Sequence, residues 1–178
     1  MRCVRDADIS IAFLWVAILV AGSSTSTFVT KAIAQDIPRP VLVSRLKLSD
    51  LPGRWIGVGR IEFRNGRVDR MRCWITYRRR KKAQLMQRIR CKSPETRIEV
   101  KTQMYHRNGK ISGAWKDHVY EVSGNIKGRL HGNQLQAYLS GMFFNAALNI
   151  MIIGKEQTIE VRPRNSRLRS MRISLARG

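Results

Sequence analysis

From Leu51 to the C-terminus, apolar and polar residues alternate, and turn-forming residues interrupt the alternation about every ten positions. A period of two marks strands with one buried face, and turns at that spacing point to an all-β barrel or sandwich. The clearest hairpin surrounds Arg107-Asn108-Gly109-Lys110. Asn-Gly suits the centre of a type I′ turn, where both residues need positive φ. This turn predicts that Met104 pairs with Gly113 and Thr102 with Trp115. Ile98, Val100, Thr102 and Met104 then share a face, opposite Ile111, Gly113 and Trp115. Arg97, Glu99, Lys101 and Gln103 face water.

A second hairpin surrounds Arg78-Arg79-Arg80-Lys81-Lys82. Setting Cys73 opposite Cys91 places Ile75 against Ile89 and Tyr77 against Gln87, and makes the basic run a turn. A third turn, Arg64-Asn65-Gly66-Arg67, carries a conflict of parity. A two-residue loop pairs Phe63 with Val68 and Ile61 with Arg70, yet the next apolar face reads Met71, Cys73, Ile75, Tyr77. A longer loop, or a bulge near Gly57 or Gly59, must absorb one residue.

Further strands are expected at residues 120–127, 135–139, 143–153, 158–162 and 168–175. The run FFNAALNIMIIG reads as a buried central strand, because spanning a bilayer needs roughly 20 apolar residues. Gly57, Gly59, Gly113, Gly124 and Gly128 fall inside strand patterns, as glycines do where sheets curve and backbones approach. The count is eight to ten antiparallel strands, enough to close an up-and-down barrel. Ahead of them, residues 43–48 read as a short helical turn plugging one end.

The N-terminus has a different character. Arg2 and Arg5 precede the apolar run ISIAFLWVAILVAG, and a Ser/Thr stretch then leads to Ala32-Ile33-Ala34. This order predicts a signal peptide over residues 1–34, cleaved after Ala34, and a periplasmic or secreted product. The alternative is an uncleaved anchor. Residues 35–50 form an extended segment and residues 51–178 the barrel. Cys3 leaves with the signal, and no cysteine follows the apolar run to carry a lipid. Cys73 and Cys91 remain, and an oxidising compartment favours their disulfide.

Charge adds a second theme. The chain carries 34 basic and 12 acidic residues, a formal +22. Processing removes three basic and two acidic residues, leaving 31 and 10. Such an excess implies an anionic partner. In the cysteine register Arg70, Arg72, Arg88 and Arg90 share an outer face beside Arg78, Arg79, Arg80, Lys81 and Lys82. Guanidinium groups so arrayed can hold phosphates or carboxylates in pairs of hydrogen bonds. In a cell envelope the matching polyanions are lipopolysaccharide and acidic polysaccharide. Nucleic acid is expected to bind only non-specifically, in vitro, with Trp74, Tyr105 and Tyr120 available for stacking. Inside the barrel, Trp55, Ile75, Ile89, Trp115, Phe144 and Leu148 either fill a core or line a cavity for a small apolar ligand; the filled core is favoured.

Catalytic signatures do not emerge. Ser44-Arg45-Leu46-Lys47 matches Ser-x-x-Lys without its companion motifs. Asp117 and His118 are neighbours that a strand points to opposite faces. His106, His118 and His131 lack ligand spacing. No cofactor, metal or enzymatic activity is expected.

The first strand opens Leu51-Pro52-Gly53-Arg54-Trp55-Ile56-Gly57-Val58-Gly59. Its Gly-x-Trp resembles the start of lipocalin-like and avidin-like barrels, in which the Trp closes the floor. A longer pattern follows: Cys73 with Tyr77, Arg90-Cys91, Ile111-Ser112-Gly113-x-Trp115, Gly124, Gly128, Gly132 and Ile173-Ser174-Leu175. It resembles an uncharacterised family of small secreted alphaproteobacterial proteins, although this chain is far more basic. That resemblance implies export and a β-barrel, and brings no activity or site. A looser similarity is to periplasmic inhibitors of secreted metalloproteases, which share the Gly-x-Trp start and a disulfide between the next strands. It implies that the segment before the barrel, with Pro38 and Pro40, enters a protease cleft. The reading is therefore a non-enzymatic exported binding protein for anionic envelope components, with a carrier of a small apolar ligand and a protease inhibitor as alternatives.

Overall fold

The computed structural model describes residues 50–81 and 83–178. The expected signal peptide, its cleavage site, the 35–50 segment up to residue 49, the 43–48 helical turn, the Ser44–Lys47 motif and Lys82 lie outside the described residues. Ten strands follow in order: β1 (Gly53–Phe63), β2 (Val68–Lys81), β3 (Gln84–Lys92), β4 (Arg97–Arg107), β5 (Lys110–Asp117), β6 (Ser123–His131), β7 (Gln134–Gly141), β8 (Asn145–Ile153), β9 (Glu156–Arg164) and β10 (Leu168–Arg177). Each pairs antiparallel with its chain neighbours, and β10 returns to β1, from Trp55 opposite Arg177 to Phe63 opposite Leu168. The sheet is a closed, up-and-down barrel. Closure leaves no free edge to template association.

The hairpins test the sequence reading residue by residue. Met104 faces Gly113 and Thr102 faces Trp115 across β4–β5. Asn108 and Gly109 both have positive φ, 49° and 74°, as a type I′ turn requires. On β2–β3, Cys73 faces Cys91, Ile75 faces Ile89 and Tyr77 faces Gln87. The two cysteines form a disulfide with their Cα atoms 4.1 Å apart. Closing that loop contributes on the order of 3 kcal/mol through the unfolded chain.

Two expectations need correction, and one conflict is resolved. Arg78 to Lys81 are not a turn: β2 runs on through them, Arg78 opposite Met86 and Arg79 opposite Leu85, with a bulge before Lys81. Phe63 does not pair with Val68, nor Ile61 with Arg70. Glu62 faces Val68 and Ile61 faces Asp69, so a longer loop resolves the parity, and the nearby bulge lies between Glu62 and Phe63 against β10. The apolar run at 143–153 is not buried on both faces. Its strand begins at Asn145; Ala146, Ile150 and Ile152 point inward and are buried, while Ala147 and Ile153 are exposed. A barrel strand has one outward face, whatever its composition.

Close backbone approach demands glycine at several strand positions, Gly113 and Gly124 among them. A Cβ on Gly113 would lie 1.9 Å from the Gln103 carbonyl oxygen, and one on Gly124 would lie 1.8 Å from that of Ser140. Curvature at these crossings brings neighbouring strands closer than a side chain permits. Gly124→Ala should therefore destabilise the barrel by about 1–3 kcal/mol, the usual cost of forced overpacking. In urea unfolding the midpoint should fall at unchanged slope.

Candidate functional site

The inward side chains treat the two ends of the barrel differently. One end is sealed. Trp55, Ile75, Tyr77, Leu85 and Met104 are all buried there. The Trp55 indole donates to the Leu51 carbonyl at 3.1 Å, and the Arg177 guanidinium lies 4.8 Å above its ring. Trp55 thus sits at the floor.

The other end is hollow. Above the floor lies a cavity of about 490 Å³. Its wall includes Ile89, Trp115, Leu148, Ile150 and Ile159, and its mouth is built from the five turns that join β1 to β2, β3 to β4, β5 to β6, β7 to β8 and β9 to β10. Of the six residues expected to line a cavity, Ile89, Trp115, Phe144 and Leu148 do so; Trp55 and Ile75 do not, because they are packed into the sealed end. The core expected to fill the barrel fills only that end. The volume falls within the roughly 300–1,000 Å³ typical of small-molecule sites.

A polar group lies where the hollow meets the floor. The Tyr77 hydroxyl accepts hydrogen bonds from the side-chain amides of Gln87 (2.8 Å) and Gln157 (2.7 Å). Gln87 also lines the cavity. Burial pushes the Tyr77 hydroxyl up from its ordinary value near 10 to about 12, against the pull of the Gln157 and Gln87 hydrogen bonds. The Gln157 carbonyl oxygen is the one buried side-chain polar atom without a partner among the described residues.

The mouth mixes aromatic and cationic side chains. Phe144 turns inward and meets Trp115 edge-on, with centroids 5.6 Å apart and planes at 72°. Phe143 and Tyr120 border the opening. Arg67 pairs with Glu95 and stacks on Phe63 at 4.0 Å. Arg167 also lines the opening, and its guanidinium has no partner among the described residues. Asp117, half of the Asp117-His118 pair, is engaged in shaping the β5–β6 turn: its carboxylate accepts from the Val119 and Tyr120 amides at 2.7 and 3.2 Å.

The outer basic residues separate into groups. Arg70 and Arg72 are exposed and form no ion pair among the described residues. They border a depression with Val58, Arg60, Trp74 and Arg172. Arg88 and Arg90 face outward too, but both reach Glu99. The Arg88 hydrogen bond, with Arg90 and Arg97 near, holds the Glu99 carboxyl below its usual range. Arg78, Arg79, Arg80 and Lys81 are exposed at the sealed end, away from the cavity mouth. His106, His118 and His131 join no cluster of metal-ligating residues among those described.

No protein-family model matches the chain, and no curated protein does. Its fold is similar to solved structures. One is Rv2717c from M. tuberculosis: 14% identity, 74% of this chain and 94% of that one, TM-score 0.62. Another is a protein of unknown function of the DUF3598 family from Nostoc punctiforme PCC 73102: 14% identity, 76% of this chain, half of that one, TM-score 0.56. Identities this low establish the ten-stranded barrel and nothing finer.

Sequence reasoning misses the mouth. The apolar pattern puts Phe143 in a strand, and Arg167 is one arginine among many. The signal is available in the turn order: in an up-and-down barrel alternate turns gather at one end. Tyr77→Phe should remove the shared acceptor from Gln87 and Gln157 and cost about 1–3 kcal/mol at neutral pH. The unfolded chain loses the Tyr77 proton near pH 10 and the folded barrel near 12, so the folded state binds more protons between them. Wild-type stability should then fall by roughly 1.4 kcal/mol per pH unit across that window because of this group. Urea titrations should show the gap to Tyr77→Phe narrowing above pH 10.

Proposed function

We propose that the chain is a non-enzymatic binding protein that carries a small apolar molecule inside its barrel. The observation that supports this is the apolar cavity of about 490 Å³, closed by Trp55 at one end and opening through five turns at the other. An unfilled apolar volume of this size forfeits packing energy, and a ligand restores it. The Tyr77–Gln87 pair offers a polar contact at the deep end. Export through residues 1–34 is part of this reading, since it puts the carrier among envelope lipids.

The test is fluorescence of the neutral probe N-phenyl-1-naphthylamine with the full chain. Leu148→Trp places bulk in the cavity and should weaken binding about tenfold or more, some 1.4 kcal/mol. Val58→Trp, on the outer face, should leave it unchanged. Equal binding by all three proteins would refute an interior site.

A second reading concerns the outer face. Arg70 and Arg72, without an ion-pair partner among the described residues and beside the half-exposed Trp74, favour polyanion binding there, with envelope phosphates and acidic polysaccharides as the ligands. Arg88 and Arg90 contribute less, because Glu99 already engages them. Arg78, Arg79, Arg80, Lys81 and Lys82 supply a further anion-attracting run. On heparin, Arg70→Gln with Arg72→Gln should make the slope of log affinity against log salt shallower by roughly one per arginine. An unchanged slope would remove this face from the account.

A further inference from the structure

Met142 and Phe143 have the largest exposures of any large hydrophobic side chains among the described residues, 86% and 81%. They are consecutive, they sit in the β7–β8 turn, and Phe143 borders the cavity mouth. Tyr120, 61% exposed, borders it too, from the β5–β6 turn. Gly124 opposite Gly141 sets these two turns side by side. The lip is held in place rather than loosely exposed. Phe144 anchors one turn against Trp115, and the Asp117 carboxylate fixes the backbone of the other.

Cations occupy the neighbouring sector of the same rim. Arg164 stands opposite Asn145 at the start of β8. Arg167 follows in the β9–β10 turn, and Arg64 braces that turn by donating from its side chain to the Ser166 carbonyl at 2.7 Å and from its amide to the Arg167 carbonyl at 2.9 Å. None of Arg64, Arg164 and Arg167 has a carboxylate partner among the described residues. Exposed apolar side chains backed by guanidinium groups free of carboxylates match one chemistry well: a bilayer surface with anionic headgroups. Aromatic and apolar tips enter the interface, and arginines take lipid phosphates.

We propose that the cavity mouth docks on an anionic lipid bilayer, with Met142, Phe143 and Tyr120 entering the interface and Arg164 and Arg167 on headgroup phosphates. This goes beyond the carrier reading and rests on the exposed rim rather than on the enclosed volume. If both hold, cargo passes between bilayer and cavity without crossing water.

The apolar run at residues 9–22 can itself enter vesicles, so the readout must be local. Phe143→Trp adds an indole at the lip, and its emission is the difference from wild type. With vesicles of brominated phosphatidylcholine and phosphatidylglycerol, that emission should shift to the blue and lose most of its intensity. Without phosphatidylglycerol, or with Arg164→Gln and Arg167→Gln added, it should keep its value in water. The indole added by Val58→Trp, on the outer face, should stay unquenched throughout. If the lip indole stays unquenched, the proposal is overturned, and quenching of the outer-face indole in its place would assign docking to the outer basic face. Quenching at the lip that persists without anionic lipid or without the arginines would overturn the headgroup contact. Binding of the naphthylamine probe is read separately, so failure of the carrier reading leaves this result interpretable.

Discussion

Closure of ten strands into one barrel sets what the interior can be. Around eight strands give a lumen that side chains just fill, and the diameter grows with each strand added. Here the β1–β10 pairing runs from Trp55–Arg177 to Phe63–Leu168, and the inward residues must occupy a wider space. At one end they manage it, with Trp55, Tyr77, Leu85 and Met104 packed together. At the other end Ile, Val, Leu and Thr reach only partway across. The cavity follows from strand number and side-chain size.

The same closure sorts the chain's chemistry by location. Period-two alternation sends nearly all the arginines of β1, β2, β3, β9 and β10 outward, so the exceptional charge lies on the outside and leaves the lumen apolar. Glu99 and Glu160 gather some of these cations into local networks. Exposed pairs of this kind contribute little stability; Arg70, Arg72, Arg164 and Arg167 are among the many cations that join no ion pair among the described residues. The up-and-down order brings five turns to the mouth, where Phe143, Tyr120 and Arg167 border one opening.

Much of the fold was legible because local rules agreed with one another. Asn108-Gly109 specified a turn type, and the turn specified the β4–β5 register. The cysteines specified the β2–β3 register together with Ile75 and Ile89. The 63–67 loop was harder, since Asn-Gly there suggested a tight turn while the face of β2 demanded an odd shift. The face prevailed, because a one-residue slip would have turned every inward residue of β2 to solvent. The basic run misled for a similar reason: polarity suggested a turn, yet Leu85 and Met86 offered partners that carried β2 on to Lys81. The site was less legible than the fold. Whether Leu148 lines a hole or fills one depends on barrel diameter, a sum over all ten strands that no local pattern contains.

The carrier proposal puts an apolar molecule in the hollow end of the barrel. Native mass spectrometry of the protein purified from expressing cells, at high salt, tests it directly. A discrete small-molecule adduct that survives salt and is absent from Leu148→Trp is the expected result. Bare protein, or adducts that salt removes, would contradict it and return the function to the basic surface.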